Sequence, residues 1–288
     1  MPDRDILRYV VWIVPALVIC LVLWRCRGHE RELVVQVPEF SAEVKQAWQA
    51  RAARMGWVVG EVQPSGMFLW IFNEDRRWAR GPSVLPAFEL KEGDPEVLGA
   101  LPVPARPFAL ILSVPRVTRS CLKSLRRFQS LEALWIGPGD VQPGALAVLA
   151  ELPNLRHLSL WRTNITDTEG RHLGKCKELR SLDLRETRVG NATVRALVQL
   201  PKLAQLSLDG TRVGDSCCRY LARMSELRYL SLNATAVGDA CLEHLKGARK
   251  LEQLFLFDTR VTAARLDAFR AAHPNCNVGG PSAELPSR

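Results

Sequence analysis

The chain has 288 residues, 47% apolar and 24% charged, with 39 lysines and arginines against 30 aspartates and glutamates. This is ordinary globular composition, which excludes a disordered, collagenous or wholly membrane-embedded chain. The basic excess is local: residues 1–24 and 25–106 balance, whereas 107–274 carry 25 basic residues against 16 acidic.

The first predicted element is a membrane span. Tyr9 to Trp24 runs sixteen residues without a charge, and Ile6 to Trp24 gives nineteen, close to the ~20 a spanning helix needs. Arg8 can snorkel, and Trp12 and Trp24 suit the interfaces. A cleaved signal peptide would want small residues after the apolar core, but Leu23, Trp24, Arg25, Cys26 and Arg27 follow. An uncleaved single-pass anchor within residues 1–32 is therefore expected. Arg25, Arg27 and Arg31 outnumber Arg4 and Arg8, which puts the body on the cytoplasmic side. Thiols read as unpaired, and three sequons at Asn164, Asn191 and Asn233 in positions awkward for glycans, point the same way.

A cap region is expected over residues 33–106. Ser41 reads as an N-cap, with Val44, Trp48, Ala52 and Met55 on one helical face before Gly56 ends the helix. Two strands follow, Trp57 to Gln63 and Met67 to Phe72, around a Pro64-Ser65-Gly66 turn. The cluster Trp57, Phe68, Trp70, Phe72 and Trp78 reads as a cover for the apolar end of a larger domain rather than a ligand box.

That larger domain is a repeat array over residues 107–278. Leu131, Leu155, Leu179, Leu203, Leu227 and Leu251 are spaced by 24, each followed by apolar residues three and five positions later. Thr163, Thr187, Thr211, Thr235 and Thr259 stand eight residues after the leucine, and a valine or isoleucine ten after. An earlier unit from Pro107 makes seven repeats, and Leu85, Phe88 and Leu90 suggest a degenerate further one. The alternation forms a short strand that can bury its leucines only against its neighbours. The threonines are expected to bond backbone of the adjacent turn as a ladder. Asp167, Asn191, Asp215 and Asp239 are expected to N-cap the return helices. Repeats 107–130 and 131–154 depart from the pattern, with Pro115 and Gly139 replacing threonine and Arg119 and Pro143 replacing the cap. Residues 279–288 read as a flexible tail.

The same register places Cys121, Cys217 and Cys241 at one helix offset, and Cys176 and Cys218 at apolar positions. They read as small core hydrophobes, with a Cys217–Cys241 bridge as a minority alternative. The chain has no CxxC and no HExxH, so neither metal nor cofactor is expected.

The unit LxxLxLxxTxVxD, together with a close at Pro274-Asn275-Cys276-Asn277-Val278, resembles bacterial leucine-rich repeat proteins of the cysteine-containing, ribonuclease-inhibitor-like type. The resemblance implies an α/β solenoid, curved, with a parallel sheet on its concave face. It implies binding and carries over no catalytic residues.

His157, Ser159 and Asp183 can be drawn as a triad. An open, solvated sheet face supplies neither a nucleophile elbow nor an oxyanion hole, so no enzyme is expected. The expected function is recognition of a protein or peptide partner on the concave face by a membrane-tethered module. Outward strand positions nominate Trp135, His157, Trp161, Asp183, Arg185, Asp209, Tyr229, Asn233, Phe255 and Phe257, with the aromatics exposed at two ends of a polar floor. The alternatives are a substrate-recognition adaptor of a larger complex, or a binder of anionic lipid or polymer. The latter would use a convex stripe of Lys123, Arg171, Lys175, Arg195, Arg219 and Arg223. No nucleic-acid partner is expected.

Overall fold

A computed structural model describes residues 40–50, 53–62, 68–73, 84–91 and 95–281. The predicted span 6–24, the tether after it and the last seven residues lie outside the described residues. Among the described residues no helix is long and apolar enough to cross a membrane.

An eleven-stranded sheet organises the described chain. At its N-terminal end β1 (Ala53–Val62) pairs antiparallel with β2 (Phe68–Asn73) on one side and β3 (Val84–Leu90) on the other. From β3 onward every pairing is parallel. The order runs through β4 (Phe108–Leu112), β6 (Leu131–Ile136), β8 (His157–Ser159), β9 (Ser181–Asp183), β10 (Gln205–Ser207), β11 (Tyr229–Ser231), β12 (Gln253–Phe255) and β13 (Asn277–Gly279), while β5 (Arg116–Val117) and β7 (Asp140–Val141) pair with each other apart from it. Residues 24 apart stand opposite one another, as Leu158, Leu182, Leu206, Leu230 and Leu254 do. Each is almost fully buried, stacked on the equivalent residues of the turns before and after within one continuous core.

Short helical returns cover the other side, among them Arg119–Ser124, Asp167–Leu173, Asn191–Leu197, Asp239–Leu245 and Ala263–Ala272. Residues 145–151 and 215–217 return as 3-10 turns. Helices pack ~8–10 Å apart and strands ~4.8 Å apart, so a stack of such turns must curve with the sheet on its inner side.

The regular turns are closed by devices that the sequence pattern only half discloses. The threonine hydroxyls do not reach the adjacent turn. Thr163, Thr187 and Thr211 donate to the carbonyls of Leu160, Leu184 and Leu208 at 2.6–2.7 Å, each locking its own turn. The links between turns come from the residues predicted to be N-caps. Thr166, Gly190, Gly214 and Gly238 hold the cap positions instead, and the residue after each lies inside the return. From there the Asp167 carboxylate accepts from Gly190 N at 2.8 Å, Thr193 N at 2.9 Å and Thr193 Oγ1 at 2.6 Å, all in the following turn. Asn191, Asp215 and Asp239 accept in the same way from Gly214 N, Gly238 N and Thr262 N. Displaced by one residue from the cap, each side chain staples its turn to the next.

The cap also differs from expectation. Ser41 does cap a helix, but the helix is only Ala42–Gln49, and Met55 and Gly56 belong to β1. The β-bridge partners of Gly56 in β3 hold that stretch extended. The cover over the array end is built around Trp48, fully buried with its ring 4.1 Å from that of Phe88 and packed with Phe40, Phe108 and Phe128. Its indole N–H donates to the Pro102 carbonyl at 3.1 Å. The side chains of Trp57, Phe68, Trp70, Phe72 and Trp78 lie outside the described residues.

Two readings of the cysteines are corrected. Cys218 and Cys241 form a disulfide, so Cys218 is more than a leucine substitute and the bridge is not Cys217–Cys241. One offset separates the partners because neighbouring returns are staggered, leaving Cys217 buried beside Cys218 with Sγ atoms 3.8 Å apart. Arg119 leaves no gap at the first return, since Thr118 one residue earlier caps it through Cys121 N at 3.0 Å.

Candidate functional site

Two rows of side chains run across the inner sheet face, with a third at its edge. One row reads Ala87, Ala109, Ala133, His157, Ser181, Gln205, Tyr229 and Gln253; its neighbour reads Glu89, Ile111, Trp135, Ser159, Asp183, Ser207, Ser231 and Phe255. Two residues further along the chain lie Trp161, Arg185, Asp209, Asn233 and Phe257.

At the N-terminal end the face is mostly apolar and already filled, with one buried carboxylate, Glu89, that accepts from Arg54 and Ser113. Ala87, Ala109, Ile111 and Ala133 are buried, and Trp135 and Leu85 are half-buried against them. Trp135 is thus placed by packing. His157 begins the polar part, half-buried rather than exposed, and burial with Arg156 and Arg180 nearby pushes its pKa down to about 4.

The centre is a network in which most polar groups hold one another. Ser159 donates to Asp183 at 3.2 Å, and Asp183 takes a two-point grip from the Arg185 guanidinium at 2.9 and 2.7 Å. Burial alone would lower the Arg185 pKa, but the hydrogen bond and charge of Asp183 hold the guanidinium firmly ionised. Asp209 Oδ1 accepts from Ser231 Oγ and from Asn233 N at 2.8 Å, and Asn233 Oδ1 accepts from Phe257 N at 2.8 Å. Burial raises the Asp209 pKa against these bonds, with Asp183 adding to the rise. Tyr229 is raised to about 12 by burial and by Asp209.

Two of the nominated aromatics are not exposed. Tyr229 and Phe255 are 5% and 7% accessible, with ring centroids 5.7 Å apart. Tyr229 rests against Phe255, and for Phe255 the reason lies in β13, whose Gly279 faces it. A Cβ on Gly279 would come within 2.8 Å of both Phe255 and Phe257, so the glycine makes room for the rings to settle on the last strand. Trp161 and Phe257 remain exposed, at 36% and 48%, and only Val103 joins them as an exposed large hydrophobic among the described residues. Sequence reasoning missed Glu186, which accepts from the Trp161 indole N–H at 3.3 Å and pairs with Arg162 at 3.1 Å. Its signal is a charge 24 residues from an opposite one, Arg162 and Glu186.

On the helix side Lys123, Arg171, Lys175, Arg195, Arg219 and Arg223 are all exposed, and none forms an ion pair among the described residues. A cleft of about 470 Å³ at the starts of the returns is lined by Thr166, Asp167, Arg188, Asn191 and Arg212. The Asp167 and Asn191 side chains there are already committed to the following turns. Among the described residues no cluster of His, Cys, Asp or Glu could hold a metal ion.

The family pattern of the leucine rich repeat matches residues 153–213. That segment is a leucine-rich repeat array. Two internalins of Listeria monocytogenes resemble the structure. Internalin InlF is 17% identical with a TM-score of 0.46, the match covering 65% of this chain and 56% of that one. Internalin C2 is 20% identical with a TM-score of 0.45, covering 59% of this chain and 78% of that one. The chain therefore spans little more than half the length of InlF. No curated protein matches the sequence.

Proposed function

We propose that this leucine-rich repeat chain is a protein-recognition module that lays a partner segment across its inner sheet face between Trp161 and Phe257. One observation carries the reading: these two aromatics are exposed at the same repeat position, on either side of a polar floor whose groups mostly satisfy one another. Neither ring contributes a buried contact that the fold needs, and exposed aromatics beside a dry floor are typical anchors of binding. Asp183, Arg185, Tyr229 and Asn233 shape the floor, while His157, Trp135 and Phe255 hold its ends. The 24-residue unit with helical returns supports the cysteine-containing, ribonuclease-inhibitor-like type. Replacing Trp161 and Phe257 together by alanine is expected to abolish partner recovery from the source cells and leave the thermal midpoint unchanged. Full recovery with both rings removed would overturn the proposal.

The proposal includes tethering by residues 6–24. The side of the membrane is best judged by the Cys218–Cys241 bridge, because disulfides persist in oxidising compartments and the flanking arginines differ by only one. The bridge supports an extracytoplasmic body and replaces the cytoplasmic expectation drawn from unpaired thiols. Protease added to intact cells should then digest the body; complete protection would restore the cytoplasmic placement.

A second reading rests on the six exposed, ion-pair-free basic residues of the helix side. They support adhesion to anionic lipid at ~1 kcal/mol per charge near the surface. Detergent-free protein that sediments equally with neutral and anionic vesicles at low salt would eliminate it.

A further inference from the structure

The strand face bears a feature that the partner-binding proposal leaves unused. Trp161, Arg185, Asp209, Asn233 and Phe257 stand at one repeat position, so Asp209 sits two strands from each exposed ring. Two strand spacings are ~10 Å. The Arg185 guanidinium is held by Asp183 at 2.7 Å and reaches Asp209 only through space, so the trio Asp183, Arg185 and Asp209 carries one net negative charge. Asp209 Oδ1 is occupied by Ser231 and Asn233, while Oδ2 takes no hydrogen bond from the described residues. Strands of three residues are too short to guide a ligand along them, so a bound segment crosses them and meets this row of side chains in turn.

We propose that the face recognises a peptide segment with a lysine or arginine midway between two large apolar residues. The cation bonds Asp209, and the apolar side chains rest on Trp161 and Phe257. The ~10 Å interval corresponds to three residues of polyproline II at ~3.1 Å each or seven residues of α-helix at ~1.5 Å each, both of which bring the side chains back to one face. Fully extended strand fits less well, since residues three apart point to opposite sides. Burial, which raises the Asp209 pKa, also makes that carboxylate the group that gains most from an incoming cation.

This inference rests on the partner-binding proposal, and one selection separates their failures. Random peptides displayed on phage are selected on the full chain in detergent, and the enriched peptides are titrated against wild type, the Trp161→Ala/Phe257→Ala double variant and Asp209→Asn. The expected consensus has a basic residue flanked at three or seven positions by apolar ones. Its affinity should fall about tenfold or more in Asp209→Asn, the scale of one charge-assisted hydrogen bond, with the thermal midpoint unchanged. Enriched peptides that need the two rings but carry no basic residue, or ignore Asp209→Asn, would overturn the inference alone. Absence of enrichment, or peptides indifferent to both variants, would overturn the binding proposal with it. A dimer that dissociates in the double variant would make a second copy the occupant, and would likewise overturn it.

Discussion

Turns 107–154 and the turns from 155 onward make the same coil by different means. In the later turns threonine locks each bend, a carboxylate or amide staples each return to the next, and Arg162, Glu186, Gly210, Ala234 and Asp258 take positive φ at one repeated position. Left-handed backbone costs a non-glycine residue ~1–2 kcal/mol. It is sustained here because Arg162, Glu186, Gly210 and Ala234 N–H groups then reach carbonyls of the following turn at 2.8–3.0 Å. In the earlier turns the isolated backbone bridges of the later ones widen to a two-residue ladder, and Gln142 supplies the side-chain link by accepting from Arg119 N at 2.7 Å. Arg116–Val117 pairs with Asp140–Val141, and Gly139 lies hard against the Pro115 carbonyl. The sheet face divides at the same place, filled and mostly apolar around a paired Glu89 before His157, polar with two exposed aromatics after it. Leucine stacking sets the pitch in both regions, so the means of closing each bend is free to change, and with it the character of the open face.

The largest expected effect probes the later turns. Cys241→Ser, or reduction, opens a loop with a sequence separation of 23. It should cost ~3 kcal/mol in denaturant unfolding. A wild-type midpoint indifferent to reductant would show that the bridge contributes nothing there.

Gly139→Ala tests the earlier turns. Its Cβ would lie 2.7 Å from the Pro115 oxygen and 2.8 Å from the Val114 oxygen, so the backbone must move. A loss of ~2 kcal/mol is expected, the usual scale of overpacking. An unchanged midpoint would mean that this bend is softer than the contact implies.

Asp167→Ala removes a staple that accepts three donors, and ~1–2 kcal/mol should be lost. These bonds hold the Asp167 pKa down despite desolvation, which acts in the opposite direction. Its contribution is therefore present above the ordinary carboxylate pKa and fades as pH falls through the lower folded value. Asp167→Asn should keep part of the stability and lose that acid dependence.

An effect absent at neutral pH and confined to acid lies at the boundary between the two regions. His157 titrates near 6.5 when unfolded and at about 4 when folded. The unfolded chain therefore takes up the proton first, and stability should decline as pH drops from 6.5 toward 4. His157→Gln should flatten that limb of the pH–stability curve; an identical slope would remove His157 as its cause.

The leucine register and the strand positions were legible because each repeat must bury the same side chains against its neighbours, and 24-residue spacing exposes that constraint. The staples were not, because a one-residue displacement turns an N-cap into a link to the next turn, and spacing alone does not distinguish Thr166 from Asp167 as the cap. At the candidate site, Trp161 and Phe257 follow from register. Phe255 does not, since its burial depends on Gly279 and on the extra strand it belongs to, and Tyr229 in turn packs on Phe255. The cluster around Trp48 was not legible for a related reason: Trp48, Phe88, Phe108 and Phe128 are far apart in sequence and meet only in three dimensions.

The central claim is that partners engage the polar half of the sheet face, and site-directed photo-crosslinking tests it most directly. A benzophenone amino acid is placed singly at Trp161, at Phe257 and, as the helix-side control, at Arg195, and the full chain is irradiated in its native cells. The account predicts one common adduct from positions 161 and 257, competed by the selected peptides, and none from 195. Adducts from position 195 alone would contradict it.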